Sequence, residues 1–570
     1  MPWLDSYADG VPRELEVPPG SLSDLIAESV ASYPGHVALE FFGRETSYAE
    51  LGSQIDHAAE GLRRLGVKPG DRVALVLPNC PQHVVAFYAA LRVGAIVVEH
   101  NPLYTPRELR HQFEDHRARF AIAWDKTVPT LQDFPSDLAL DRIVSVDMTR
   151  AFPLKMRMLL KLPIEKARSS RAELTTEVQG TVTWEELLAG PAIPATVPGP
   201  AAEDVALIQY TSGTTGTPKG ATLSHRNLVA NAAQARAWVP TIPRGAASVH
   251  AVLPLFHAYG LTLCLTFAMS MGARLVLFPK PDPDLVLPVF KKRPPTFLPA
   301  VPPLYDRLRK AAEAKGVSLK GIEIAISGAM PLSKDVVEPW EALTGGYLVE
   351  GYGLSECSPV LMANPVAPNR RAGTVGLPLP GTELRVVDPG EPTRDVEPGT
   401  PGELVVRGPQ VFSGYWNKPE ATAEVFTEGW FRTGDIVSVD DDGFVTITDR
   451  IKELVITGGF NVSPSEVEDM LRGYDGIADV AIVGIPDARD GEHIVAAVVP
   501  DPGATIDTAA LRAWAKQQLA AYKVPRRVHI VDELPKSMIG KVLRRKVRDQ
   551  LIELEASTNS GHRKQERTEK

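Results

Sequence analysis

The sequence predicts an α/β multidomain protein: a large N-terminal domain of α/β subdomains with a small β unit, then a small C-terminal α+β domain. Three observations carry this. A chain of 570 residues exceeds what one hydrophobic core organises. Short β-branched runs alternate with Ala/Leu-rich helical stretches, the pattern of parallel βαβ units. The texture then changes twice, near Gly381 and near Asp449.

The first βαβ pattern runs from Gly70, with GDRVALVLPN, VVAFYAALRVGAIVV, a polar helical stretch over Pro106 to Arg117, and RFAIAW. It returns from Val205 to Leu361. From Gly381, TELRVVD, GELVVRG, GWFRTGD and GFVTIT are short strands split by Gly, Pro and Asp turns, which predicts an antiparallel β unit. After TDRIKELVITGGFNVSPSEVEDML a helix starts near Pro464, with Ser463 as N-cap and Glu466 at the N3 position of a capping box. VAIVGIP and HIVAAVVP predict strands, Thr508 to Gln518 an amphipathic helix, and the polar stretch from Ser557 a disordered tail. The resulting division is residues 1–449, 450–556 and a tail at 557–570.

The composition, 44% hydrophobic and 23% charged, is that of an ordinary globular protein. A net charge of -9 argues against general polyanion binding, so no nucleic-acid partner is expected. Cys80, Cys264 and Cys357 stand far apart without a CxxC or Cys/His cluster, which disfavours a disulfide framework or structural zinc and fits a cytoplasmic location. The start, MPWLDSYADG, lacks a signal-peptide pattern.

Two stretches bear on membranes. Ala251 to Gly272 contains no Asp, Glu, Lys or Arg, but Pro254 and Gly260 interrupt it and a strand-like ARLVLF follows, so it is read as buried core. Arg150 to Arg171 mixes seven basic residues with Leu, Met and Phe; a solvated linker segment and a peripheral contact with an anionic membrane face are both open readings.

The segment richest in chemistry is YTSGTTGTPKG, Tyr210 to Gly220, directly after the strand-like VALIQ. Its three glycines allow close backbone approach, its five Ser/Thr hydroxyls offer donors, and Lys219 adds a positive charge, as a phosphate cradle requires. It is not a Walker A loop, because Gly216 is followed by Thr-Pro-Lys-Gly rather than Lys-Ser/Thr.

This loop resembles the signature loop of the adenylate-forming superfamily of acyl-CoA synthetases, nonribosomal-peptide adenylation domains and luciferases. Four further motifs follow in order: GYGLSE at Gly351, WFRTGD at Trp430, DRIKELVITGGFNVSP at Asp449 and PKSMIGKVLRR at Pro535. NPLYTPREL at Asn101 and the basic insert after Arg150 are most similar to bacterial long-chain fatty-acid CoA ligases.

The resemblance implies an ATP-dependent fatty acyl-CoA synthetase that forms acyl-AMP and then acyl-CoA on medium- or long-chain acids, with ATP and CoA as co-substrates. It also implies a role for each matching residue. Ser212, Gly213, Thr214, Thr215, Gly216 and Lys219 would hold phosphates, Tyr352 and Gly353 adenine, Asp435 the ribose hydroxyls, and Arg450 ribose or phosphate. Thr211 and Glu356 would hold Mg2+, a hard cation that prefers oxygen. Lys541 would bridge the substrate carboxylate and the α-phosphate as charge develops. Lys452 would be the hinge of a mobile C-terminal lid, and Gly458, Gly459 and Phe460 would face CoA. His257 and Gly328, in LPLFHAYG and SGAMPL, would line the acyl pocket, with a satisfied core histidine an equal reading for His257. A coumarate-type aryl-CoA ligase and a non-catalytic nucleotide-binding scaffold are the alternatives.

Overall fold

The computed structural model describes residues 1–138, 140–211, 218–453, 455–457, 460–487, 491–519, 521–537 and 540–555. The chain divides into two compact units: Met1–Leu384 with Val406–Phe431 and Asp442–Phe444, and Arg385–Val405 with Arg432–Asp441 and Val445–Lys570.

The first unit is built on two sheets. One has eight strands in the order Gly414–Tyr415, Gly220–Ser224, Val205–Tyr210, Ile96–Glu99, Arg72–Val76, Phe120–Trp124, Arg142–Val146 and Val182–Thr183, parallel from Val205–Tyr210 onward. Its central strands are continuous apolar runs because helices cover them; Val73 to Val76 are fully buried. The second sheet has nine strands. Its centre is a parallel array of Tyr347–Gly353, Ile324–Ser327, Phe297–Ala300, Ser248–Ala251, Arg274–Leu277 and Val37–Phe41 in that order.

The helices start where local chemistry satisfies their first N–H groups. Ser47 and Glu50 cap Tyr48–Arg64 reciprocally, and Thr105 and Glu108 do so for Pro106–His116, one residue short of the predicted end because Arg117 turns left-handed at φ 53°. The apolar stretch is core, as read: Ala258 to Gly272 is buried throughout, wound partly as a π-helical segment at Leu261–Thr266. Among the described residues no helix is long and apolar enough to cross a membrane.

The second unit carries most of an antiparallel sheet that includes Glu391–Asp395, Trp430–Val439 and Val445–Arg450. Beyond it lies an α+β layer. Ile477–Asp487 and Gly491–Pro500 pair antiparallel, and Arg527–Ile530 adds parallel to the latter. One face packs on the helices Pro464–Arg472 and Thr508–Gln518 through Val467, Leu471, Leu511 and Ala515; the other packs on Leu534, Val547 and Leu551. Ser463 caps Pro464–Arg472 by accepting from Glu466 N at 3.1 Å, but the reciprocal half of the expected box is not made. Glu466 instead receives two hydrogen bonds from Lys523 Nζ, at 2.5 and 2.7 Å, since an ammonium is a stronger donor than the N-cap amide.

Candidate active site

Parallel topology explains how distant motifs become neighbours. LPLFHAYG follows the carboxyl end of Ser248–Ala251, SGAMPL that of Ile324–Ser327, and GYGLSE overlaps that of Tyr347–Gly353, all on the same edge of one sheet. That edge is where open α/β sheets place their ligands.

The signature segment joins two antiparallel strands. Tyr210 pairs with Gly220, and Thr211 N donates to Lys219 O at 3.0 Å; Ser212 to Gly216 lie outside the described residues. Gly220 is required here, since a Cβ would stand 2.6 Å from Ile208 Cγ2. Tyr210 hydroxyl donates to Asp115 Oδ2 at 2.8 Å, and Asp115 also pairs with Lys418 at 3.1 Å.

The short strand Gly414–Tyr415 pairs alongside Gly220–Ser224 and brings in a residue the motifs did not mark. Tyr415 hydroxyl donates to Glu356 Oε1 at 2.8 Å, and Lys219 Nζ stands 5.2 Å over the Tyr415 ring. Burial and the Glu356 carboxylate both push the Tyr415 hydroxyl well above its usual range, so it remains a donor. Tyr415 thus links Lys219 to Glu356. Glu356 is 8% exposed, and the turn carrying it packs against Gly220–Ser224. Glu356 and Thr211 offer only oxygen donors, which suits a hard cation.

Gly353 has a steric reason to be glycine: a Cβ would lie 1.8 Å from Pro359 O, whereas at Gly351 the nearest atom would be an ordinary 3.4 Å away. Tyr352, between them, is 8% exposed and pairs in register with Met362.

His257 and Gly328 are brought together through Tyr259. Its hydroxyl donates to Ile326 O at 2.6 Å, and a Cβ on Gly328 would come 3.1 Å from its ring. His257 Nδ1 accepts from Tyr259 N at 3.2 Å, and burial pushes the imidazole down to about 4, so it is neutral near pH 7. Buried Asn79 holds this loop through Ala251 O at 3.1 Å, Leu253 O at 2.8 Å and Leu255 N at 2.8 Å. Gln209 Nε2 reaches Phe256 O at 3.0 Å. Glu350, just before the GYGLSE motif, accepts from Leu332 N at 3.2 Å, and burial lifts its carboxyl to about 8.

In the second unit, Asp435 is 1% exposed and is the register partner of Arg450. Its turn is held by buried Glu403, which pairs with Arg432 at 2.6 and 3.0 Å and accepts from Gly434 N at 3.3 Å. Lys541 closes a tight turn, with Ser537 N donating to Lys541 O at 2.7 Å and Gly540 at φ 84°. Three residues on, Arg544 binds Glu468 at 2.7 and 3.0 Å and also pairs with Glu453. Burial by itself lowers the Arg544 guanidinium, but these carboxylates outweigh it and hold it above its usual range. Lys452 lies in a 3-10 turn, Ile451–Glu453, and Phe460 starts the strand Phe460–Val462. Gly458 and Gly459 lie outside the described residues, as does the tail from 557.

The model of the AMP-binding enzyme family matches residues 26–416, and that of the AMP-binding enzyme C-terminal domain matches residues 466–541. This chain belongs to the AMP-binding enzyme family. Among curated members, it is 37% identical to a long-chain-fatty-acid–CoA ligase of Bacillus subtilis (strain 168), over 98% of this chain and 99% of that protein. It is 38% identical to the Escherichia coli O157:H7 protein of the same name, over 96% and 98%. Among solved structures, ATP-bound MatB from Rhodopseudomonas palustris superposes with a TM-score of 0.76 at 31% identity, over 93% of this chain and 98% of that one.

Set on this AMP-binding fold, Tyr415, Asn79, Glu350, Glu403 and Arg544 are the residues sequence reasoning missed. Glu350 abuts the GYGLSE motif and Arg544 lies inside PKSMIGKVLRR, so proximity to a motif was an available signal. Tyr415 and Asn79 act through pairings 59 and 172 or more residues away, which no local pattern carries.

Proposed function

We propose that this chain is an ATP-dependent fatty acyl-CoA synthetase acting on medium- or long-chain acids. The carrying observation is its full-length likeness to ligases of that name at 37–38% identity. The carboxylate attacks the α-phosphorus of ATP, pyrophosphate leaves, and the CoA thiol attacks the acyl-AMP carbonyl, releasing AMP. Positioning and electrostatics supply most of the catalysis because ATP supplies the activation.

In this reading Tyr352 and Gly353 meet adenine, Asp435 the ribose, Arg450 the ribose or phosphate, and Ser212 to Gly216 with Lys219 the phosphates. Thr211 and Glu356 would hold Mg2+, whose charge would offset that of the phosphates. Lys541 stabilises the charge that builds between carboxylate and phosphate. Residues 450–556 act as the lid on residues 1–449, hinged at Lys452, with Gly458, Gly459 and Phe460 toward CoA and His257 and Gly328 toward the acyl chain. A cytoplasmic location is part of the same proposal.

The test is AMP release with CoA and MgATP across acetate, octanoate, palmitate and 4-coumarate. A maximum at octanoate or longer is expected. A maximum at coumarate would move the chain to the aryl-CoA ligases, AMP formation with none of them would overturn the acyl-pocket reading, and no ATP/pyrophosphate exchange across a broad acid panel would return the chain to a nucleotide-binding scaffold.

A further inference from the structure

The helix Leu154–Leu160 buries none of its seven residues, although its sequence, LKMRMLL, is mostly apolar. Of the eleven large apolar side chains exposed among the described residues, five fall in or just after it: Leu154, Met158, Leu159, Leu162 and Ile164, each between 42% and 66% exposed. A soluble surface tolerates such residues singly, but a contiguous group marks a docking face.

The segment is well anchored. Phe152 is buried, with its ring 4.7 Å from Phe42 and 5.4 Å from Phe41. The chain returns through the helix Glu165–Leu174, where Leu174 O accepts from Trp124 Nε1 at 2.8 Å and Ala172 O from Lys126 Nζ at 2.5 Å. Arg171 reaches across to Leu160 O at 3.4 Å. The apolar residues therefore stand on a fixed helical hairpin, around the Leu162-Pro163-Ile164 turn.

Charge identifies the occupant. Residues 150–171 carry seven cations and a single acid, Glu165, in a chain whose net charge is -9. Arg168 pairs with Glu165 and Arg150 with Asp147, whereas Lys155, Arg157, Lys161 and Lys166 have no acidic partner among the described residues. Apolar side chains ringed by long cations suit a headgroup layer, where the stems lie along apolar surface and the charges reach the phosphates. A second copy of the chain would set these cations against one another.

We propose that the 153–171 hairpin seats this protein on the surface of an anionic phospholipid bilayer. The contact is peripheral and holds whichever acid the enzyme activates. The test is sedimentation of the full chain with vesicles of phosphatidylcholine alone or enriched in phosphatidylglycerol, at low and raised salt. Binding is expected only to the anionic vesicles and is weakened by salt. Each cation contributes roughly fivefold, so K155Q/R157Q/K161Q/K166Q together should weaken partitioning on the order of several hundredfold. L154S/M158S/L159S should weaken it as well, while both variants keep wild-type AMP release with a water-soluble acid. Equal binding to both vesicle types, no binding, or unaltered binding by the variants would overturn the proposal. A dimer in sedimentation velocity that either variant dissociates would reassign the face to self-association.

Discussion

Replacing Gly353 with alanine tests whether backbone crowding sets the geometry of the GYGLSE motif. The new Cβ would stand 1.8 Å from Pro359 O and 3.0 Å from Val360 Cα, both backbone atoms that no rotamer change can move aside. The strand carrying Tyr352 and the turn carrying Glu356 must then shift by about 1 Å, a misplacement that costs on the order of a hundredfold in rate where positioning is the source of catalysis. Overpacking of this kind also costs about 3 kcal/mol of stability. Gly351→Ala is the internal control, since its Cβ would meet only Ile326 Cγ2 at 3.4 Å and Met362 O at 3.5 Å. Urea unfolding and AMP release are measured on both. A Gly353→Ala protein with the stability and rate of Gly351→Ala would refute the steric argument.

Lys541→Ala is expected to slow adenylation by roughly a hundredfold to a thousandfold while sparing thioester formation from supplied acyl-AMP; equal losses in both half-reactions would count against its role. Tyr415→Phe removes the donor to Glu356 and should lower stability in urea by about 2 kcal/mol, the worth of a hydrogen bond to a charged group, so an unchanged midpoint would refute the link. Glu350 binds its proton up to about pH 8 when folded, against 4.5 as the ordinary value. The folded state thus holds more protons than the unfolded state between those values, and stability falls as pH rises through that window. Glu350→Gln should remove this dependence, up to about 1.4 kcal/mol per pH unit, and parallel wild-type and variant stability curves would contradict the assignment.

Local chemistry was enough to find much of the molecule. Thr508 to Gln518 reads as an amphipathic helix from its own apolar spacing and is one. The interruptions at Pro254 and Gly260 were enough to read the uncharged stretch as core; Gly260 in fact lies so near Pro254 O that a Cβ would stand 2.0 Å from it. Where a prediction depended on competition, sequence alone was insufficient. Glu466 has the spacing for a reciprocal cap, yet Lys523, distant in the chain, takes its carboxylate.

The same division governs the candidate site. Sequence by itself determined the family, the order of the motifs and the alternation of strand and helix, because periodicity, turn chemistry and glycine requirements act over a few residues. Only the tertiary structure decided that Tyr415 bonds Glu356 beneath Lys219, that Asn79 clamps the loop before His257, and that burial keeps Glu350 protonated. Those outcomes depend on which strands become neighbours and on how much water is excluded between them. Desolvation and long-range hydrogen bonding are properties of the packed fold and have no local signature in the chain.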